Sequence, residues 1–125
     1  MRVLLDTHAL LWWLGDSPRL SYRAEAAITN PDNDVFVSAA AGYEIAYKQK
    51  LGRLPAFPEP LLQRLVRAGI DILPITMDHA LAAAELRGPH RDPWDRIMMA
   101  QALVERFHVA TVDPVFSAYG VPVVW

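Results

Sequence analysis

Short apolar runs alternate with longer helical segments along the whole chain, and this alternation restricts the fold more than any other feature of the sequence. Five runs rich in apolar or β-branched residues are typical of buried strands, at 2–5, 34–38, 70–75, 109–112 and 121–125. The segments between them favour helices, at 7–16, 21–30, 39–52, 59–69, 76–88 and 94–108. Strands that alternate with helices form mostly parallel sheets covered on both faces. The sequence therefore predicts an α/β fold with a central, mostly parallel sheet of four to five strands.

Size and composition are those of one folded domain spanning residues 1–125. A chain of 125 residues with 53% hydrophobic and 21% charged residues can build a core without disulfide bonds. The absence of cysteine excludes thiolate metal ligands and suits a cytoplasmic protein. We expect no signal peptide and no membrane association, because no apolar run approaches the roughly 20 residues that a spanning helix requires. The net charge of −2 argues against binding nucleic acid through bulk positive charge, so a nucleic acid must be held locally.

Four acidic residues stand out by their positions. Asp6 and Asp113 directly follow predicted strands, Asp95 begins an apolar helix, and Glu44 lies on a helix rich in small residues. Each has a local alternative role. The three aspartates fit positions that cap or begin a helix, and Glu44 fits an ion pair with Lys48 one turn later. Taken singly, the residues leave both interpretations open.

Taken together, the four acids predict a site for a divalent cation. Ligands of open parallel sheets bind beyond the carboxyl ends of the strands, so carboxylates at neighbouring ends share one crevice. Carboxylates that lie close together raise each other's pKa, and a divalent cation offsets that repulsion. Oxygen ligands without cysteine or a suitably spaced histidine pair favour Mg²⁺ or Mn²⁺ over Zn²⁺. Such a site suits phosphoryl transfer by a metal-activated water.

Four segments of the chain, each containing one of these acids, carry a resemblance to a known family. They are "LLDTHALLWWL", "SAAAGYEIAYKQKLGRL", "HRDPWDRIMMAQAL" and "ATVDPVFSAYGVPVVW". In them the chain resembles the PIN-domain ribonucleases that act as toxins in bacterial VapBC toxin–antitoxin pairs. The resemblance implies a PIN-like three-layer α/β/α sandwich and Mg²⁺- or Mn²⁺-dependent cleavage of RNA. It also implies inhibition by a bound VapB-type antitoxin, and a homodimer or a larger toxin–antitoxin assembly.

The resemblance assigns catalytic and metal-binding roles to Asp6, Glu44, Asp95 and Asp113. Three of them, Asp6, Asp95 and Asp113, would hold one ion directly or through water, and Glu44 would complete that site or help to hold a second ion. The hydroxyls of Thr7 and Thr111 match positions that support the acids or a metal-bound water. Helix capping and strand propensity are the alternative roles for these two threonines.

Other residues near the acids have two or more interpretations. Arg96 either grips a phosphate or steadies a carboxylate, or it is a solvated surface charge. Asp92 is interpreted as a helix cap, with the outer shell of the metal as the alternative. Tyr43 and Tyr47 stack on a base, line an antitoxin groove or pack in the core. No histidine is assigned a catalytic role.

Two other functions compete with metal-dependent RNA cleavage. Phosphoaspartyl hydrolases and receiver domains also carry an aspartate after the first strand, but they need a second aspartate two residues later or a lysine late in the chain. Position 8 is His8, and no lysine follows Lys50. The second alternative is an inactive PIN-like binding module that only engages an antitoxin or RNA, although the presence of all four acids argues against it.

Overall fold

Five parallel strands form a single sheet at the centre of the molecule. The computed structural model describes residues 1–125. Its strands are β1 (Arg2–Leu5), β2 (Asp34–Ser38), β3 (Asp71–Leu73), β4 (His108–Ala110) and β5 (Val123–Val124). Their spatial order is β3-β2-β1-β4-β5, and every neighbouring pair is parallel. The predicted sheet is confirmed, with five strands.

Seven helices connect the strands. They are α1 (Thr7–Leu14), α2 (Tyr22–Thr29), α3 (Ala39–Lys50), α4 (Leu61–Ala68), α5 (Met77–Glu85), α6 (Pro93–Glu105) and α7 (Pro114–Ala118). From β1 to β3 the chain adds each strand on one side of β1. It then crosses to the other side of β1, where β4 and β5 lie. Because such crossovers are right-handed, the helices cover both faces and give the predicted three-layer sandwich. None of the helices combines the length and apolar character needed to cross a bilayer.

All six predicted helices end one to three residues earlier than the sequence predicts, and a left-handed residue follows the ends of α3 and α6. α3 ends at Lys50 rather than at Gly52, and Gly52 adopts a φ of 73°. α6 ends at Glu105, because the next residue, Arg106, has a φ of 60° and lies in the left-handed region. A left-handed residue turns the chain out of the helix, so a short turn leads from Arg106 into β4.

The strand order reverses between β1 and β4, near the middle of the sheet. These strands are in register, with Leu5 opposite Ala110. The backbone N–H of Asp6 donates to the carbonyl of Ala110 at 3.2 Å, which extends the pairing to the first residue beyond β1. Ligand sites of open parallel sheets lie at such a reversal, beyond the carboxyl ends of the strands. The segments that follow β1 and β4 both emerge there.

The core surrounds β1. Its residues Val3, Leu4 and Leu5 are fully buried, and they pack within one hydrophobic cluster that includes residues of every other strand except β5. A central parallel strand is buried on both faces, so its residues are continuously apolar rather than alternating. The first polar side chain after this strand is that of Asp6. Its carboxylate therefore lies at the boundary of the core.

Candidate active site

Asp6 is a buried carboxylate at the end of β1. Only 6% of its surface is exposed. Its Oδ1 accepts a hydrogen bond from the backbone N–H of Ala9 at 2.7 Å, which caps α1, and its Oδ2 accepts one from the Thr111 hydroxyl at 2.5 Å. Burial raises the pKa of Asp6 above its ordinary value of 3.8, against the lowering effect of these hydrogen bonds. Asp6 is therefore both the predicted helix cap and a carboxylate that resists ionisation.

Thr111 and Asp113 lie in the segment that directly follows β4. The buried hydroxyl of Thr111 donates to Asp6 and accepts a hydrogen bond from the backbone N–H of Asp113 at 3.0 Å. Asp113 caps α7, because its Oδ1 accepts a hydrogen bond from the N–H of Val115 at 3.0 Å. The negative charge of Asp113 contributes to the raised pKa of both Asp6 and Asp95. Asp6 and Asp95 therefore both lie within electrostatic reach of Asp113.

Asp95 lies in the first turn of α6. The cap of that helix is Asp92, whose Oδ1 accepts hydrogen bonds from the backbone N–H groups of Trp94 and Asp95 at 2.9 and 3.1 Å. The Oδ2 of Asp95 lies 2.8 Å from Nε2 of His90. Desolvation raises the pKa of Asp95, the hydrogen bond with His90 lowers it, and the charges of Asp92 and Asp113 raise it further. The predicted capping role of Asp92 is confirmed.

Glu44 lies at the side of this group on α3, with both carboxylate oxygens engaged. Its Oε1 accepts a hydrogen bond from the Thr7 hydroxyl at 2.6 Å, and its Oε2 pairs with Nζ of Lys48 at 2.7 Å. The ion pair that the sequence left open is therefore present, and Thr7 supports Glu44 rather than Asp6.

Arg96 contacts backbone carbonyls rather than a carboxylate. Its guanidinium donates to the carbonyl oxygens of Ala83, Leu86 and His90 at 2.9, 2.5 and 2.9 Å. These three contacts fold the segment between α5 and α6 back onto the start of α6. Arg96 therefore shapes the segment that carries His90, and these contacts leave little of its guanidinium for a ligand.

The donor chemistry of the three aspartates fits a hard divalent cation. Each carboxylate oxygen has two lone pairs, so Asp6 and Asp113 retain acceptor capacity beyond the contacts described. The other oxygen of Asp95, Oδ1, makes no hydrogen bond within the protein. It is not buried, so it is accessible to solvent. Like charges and burial together disfavour three ionised aspartates here, and a cation would reverse that effect. No three acidic or histidine side chains, however, approach closely enough to form a ready-made metal cluster.

His90 contacts Asp95 directly, although the sequence assigned it no role. It lies in the segment "HRDPWDR", which carries part of the resemblance, but a spacing of five residues before Asp95 fits neither a metal-binding pair nor a helix cap. The contact with Asp95 exists because the segment between α5 and α6 folds back. The sequence pattern gives no direct signal for that folding.

Comparisons with known proteins point to one family over nearly the whole chain. The family model described as "PIN domain" matches residues 3–122. Ribonuclease VapC22 of Mycobacterium tuberculosis is 29% identical over 114 residues, which cover 89% of this chain and 86% of the relative.

Solved structures with a similar fold include two complexes from other bacteria. One is the VapBC2 complex of Rickettsia felis bound to a DNA fragment from its promoter, with a TM-score of 0.71 and 17% identity over 98% of this chain and 97% of the other. The other is a toxin–antitoxin complex from Klebsiella pneumoniae, with a TM-score of 0.65 and 24% identity over 98% of this chain and 96% of the other. At these identities the likeness concerns the fold.

Proposed function

The chain belongs to the PIN-domain family, and on that premise we propose that it is a metal-dependent endoribonuclease, the toxin of a type II toxin–antitoxin pair. The observation that supports the proposal is that Asp6 and Asp113 follow the neighbouring strands β1 and β4 at the reversal of strand order and are joined through the Thr111 hydroxyl. Burial, with a smaller contribution from the charge of Asp113, raises the pKa of Asp6 and of Asp95. The name of the ribonuclease relative supports the reaction, and the named toxin–antitoxin complexes support the biological role.

The proposed chemistry divides between the ion and the chain. When bound, Mg²⁺ or Mn²⁺ supplies an activated water and neutralises charge on the scissile phosphate. Asp6, Asp95 and Asp113 would hold the ion, and the Thr111 hydroxyl joins Asp6 to the segment that carries Asp113. Glu44 would complete this site or help to hold a second ion. Lys48, with 37% of its side chain exposed, places a positive charge beside the acids where a phosphate of the RNA would pass.

The partners in this proposal are RNA, a VapB-type antitoxin and a second copy of the chain, acting in the cytoplasm. A cavity of about 540 Å³ lies beside Lys48, and its walls include Leu11, Trp12 and Phe57 together with Arg19. An apolar groove with cations at its rim suits an antitoxin segment that carries apolar and acidic side chains. An antitoxin bound there would cover the approach to Glu44 and so inhibit cleavage.

The proposal is tested by cleavage of RNA with the protein purified free of any partner. We expect cleavage with Mg²⁺ or Mn²⁺, no cleavage with EDTA, and a loss of about two orders of magnitude or more in Asp6→Asn. Asp34→Asn is the matched control, because Asp34 is an exposed aspartate that begins β2, at the end of the strands opposite to the acids. Cleavage that persists in EDTA and in Asp6→Asn would contradict the metal-dependent mechanism.

The alternative function is a PIN-like module that binds an antitoxin or RNA without cleaving it. Two observations favour it: Lys48 occupies the Glu44 carboxylate, and the acids form no ready-made metal cluster. The same experiment separates the two functions. A protein that binds RNA or a VapB-type antitoxin but cleaves no RNA with either metal would be such a module.

A further inference from the structure

We propose that His90 is a positioning residue for Asp95, and that it fixes the rotation of this carboxylate for metal binding. The inference rests on the proposed function, because it gives Asp95 a metal to hold. In this arrangement Nε2 of His90 donates to Oδ2 of Asp95 at 2.8 Å, and Oδ1 is left without a hydrogen bond and accessible to solvent. One oxygen is thus held, and the other is available to a cation.

Two of the other acids at the site also accept a hydrogen bond from a neighbouring side chain. The hydroxyl of Thr111 donates to Asp6, and the hydroxyl of Thr7 donates to Glu44. A ligand carboxylate that is hydrogen-bonded by a neighbouring side chain binds metal more tightly, because its orientation is fixed before the ion arrives. Asp95 has no threonine beside it, and His90 supplies the corresponding hydrogen bond.

The position of His90 is itself fixed by three contacts from two other residues. Its backbone N–H donates to the Tyr119 hydroxyl at 3.0 Å, and its carbonyl accepts a hydrogen bond from Arg96 at 2.9 Å. The ring of Tyr119 lies edge-on to the imidazole, with centroids 6.4 Å apart. A side chain held on both sides of its backbone and against its ring has little freedom to leave Asp95.

The close approach of Tyr119 also restricts position 88. Gly88 has a φ of 129°, and a Cβ atom there would overlap the Tyr119 hydroxyl. Only glycine adopts this backbone region without strain. Tyr119 directly follows α7, and the segment between α5 and α6 lies against it. This contact places His90 over the start of α6.

The test measures Mn²⁺ affinity by calorimetry on the protein without RNA, so that it does not depend on cleavage. We expect His90→Leu to weaken Mn²⁺ binding by roughly tenfold or more, with little change in the melting temperature of the ion-free protein. His90→Gln should recover most of this affinity, because its amide N–H can donate from about the position of the ring Nε2. His108→Gln is the matched control, since His108 begins β4, at the end of the strands opposite to the acids.

A kinetic readout separates positioning from proton transfer. In His90→Leu, the Mn²⁺ concentration for half-maximal cleavage should rise while the maximal rate at saturating Mn²⁺ stays close to that of the wild type. A wild-type affinity in both His90→Leu and His90→Gln overturns the positioning role, as does a maximal rate that stays low at saturating Mn²⁺. If the wild-type protein binds Mn²⁺ but cleaves no RNA, the proposed function fails, and the affinity comparison still decides the role of His90. If the wild type binds no Mn²⁺, both proposals fail.

Discussion

Asp6 is a carboxylate that folding removes from water, and its ionised form is therefore costly in the folded chain. Its pKa lies above the ordinary value of 3.8 because of burial. A raised pKa means that the folded protein holds the proton more tightly than the unfolded chain does. This stabilising contribution is complete below the unfolded pKa and is lost as the pH rises through the folded pKa. At neutral pH the ionised side chain thus reduces the free energy of unfolding, and the same sign holds for Asp95.

We expect Asp6→Asn to increase the free energy of unfolding at pH 7.5 in EDTA. The gain should be on the order of 1 kcal/mol for each pKa unit by which folding raises the pKa of this carboxylate. Asparagine keeps an oxygen for the Ala9 N–H, and its amide can donate to the Thr111 hydroxyl. The gain should shrink as the pH falls through the raised pKa toward the ordinary carboxyl value. Thermal unfolding of the variant and the wild type across this pH range measures the difference.

Two comparisons control this measurement. Asp34→Asn makes the same substitution at an exposed aspartate and controls for the change of side chain itself. Saturating Mn²⁺ should reverse the order of stability, because the ion stabilises only the protein that binds it. An Asp6→Asn variant that is less stable than the wild type in EDTA at every pH would contradict this account of the buried charge.

Thr111 joins the two strand ends through one hydroxyl, so its loss affects two partners. In Thr111→Val, Oδ2 of Asp6 loses its donor and the N–H of Asp113 loses its acceptor, at nearly the same side-chain volume. We expect the free energy of unfolding at neutral pH to fall by roughly 1–3 kcal/mol. Thr111→Ser keeps the hydroxyl and should lose less. Urea denaturation measures both variants, and equal losses in the two would mean that the methyl group, rather than the hydroxyl, stabilises this position.

At the scale of elements, α6 begins with a cap, a proline and an acid, and each has a different task. Asp92 accepts hydrogen bonds from two N–H groups of the first turn, which have no partner within the helix. Pro93 occupies the first helical position, where no N–H is needed. Asp95 then lies on the same turn, with its carboxylate directed to His90. The cap therefore stabilises the turn from which the candidate ligand projects.

We expect Asp92→Ala to reduce the free energy of unfolding by about 1 kcal/mol, because it removes the cap of α6. Asp92→Asn should remain close to the wild type, since asparagine is an equally good cap. Chemical denaturation measures both stabilities, and calorimetry with Mn²⁺ tests the other interpretation of this residue. Weaker Mn²⁺ binding in Asp92→Asn at unchanged stability would place Asp92 in the outer shell of the metal rather than in a capping role alone.

The elements could be predicted from the sequence because their signals are local. Asp6, Ser21, Asp92 and Asp113 all cap the helices that they precede, as side chains of this type do. Pro74 follows β3, which lies at an edge of the sheet, where the missing N–H costs least. The exact ends of α3 and α6 were harder to predict, because they depend on the backbone conformations of Gly52 and Arg106.

Contacts between elements could be predicted only in part. The convergence of Asp6 and Asp113 followed from the rule for strand ends, once β1 and β4 were assumed to be neighbours. The hydrogen bond between Thr111 and Asp6 joins residues 105 positions apart, and no local pattern encodes it. The same is true of the contact of His90 with Asp95, which depends on Arg96 and on Tyr119 from beyond β4. Sequence patterns thus indicated the acids but not the side chains that orient them.

At the scale of the whole molecule, the charge limits how RNA can bind. A net charge of −2 gives no general attraction for a polyanion, so binding depends on the few cations near the acids. Lys48 and Arg53 line a cavity of about 300 Å³ together with Glu44 and Trp94. Cations and an aromatic ring beside the acids suit a short single-stranded segment, whose phosphates and bases they can contact.

We therefore expect a weak dependence of RNA affinity on salt. Each phosphate contact to a single strand contributes about −0.7 to the slope of log K against log salt concentration, so two or three contacts give a slope of roughly −2. The measurement is fluorescence anisotropy of a short single-stranded RNA with Asp6→Asn, at constant Mg²⁺ and varied KCl. Lys48→Met should make the slope shallower by about 0.7, whereas Arg23→Met, an exposed cation on α2, should leave it unchanged. A slope of about −5 or steeper would require many more phosphate contacts than these cations supply, and would place the RNA on a different and larger surface.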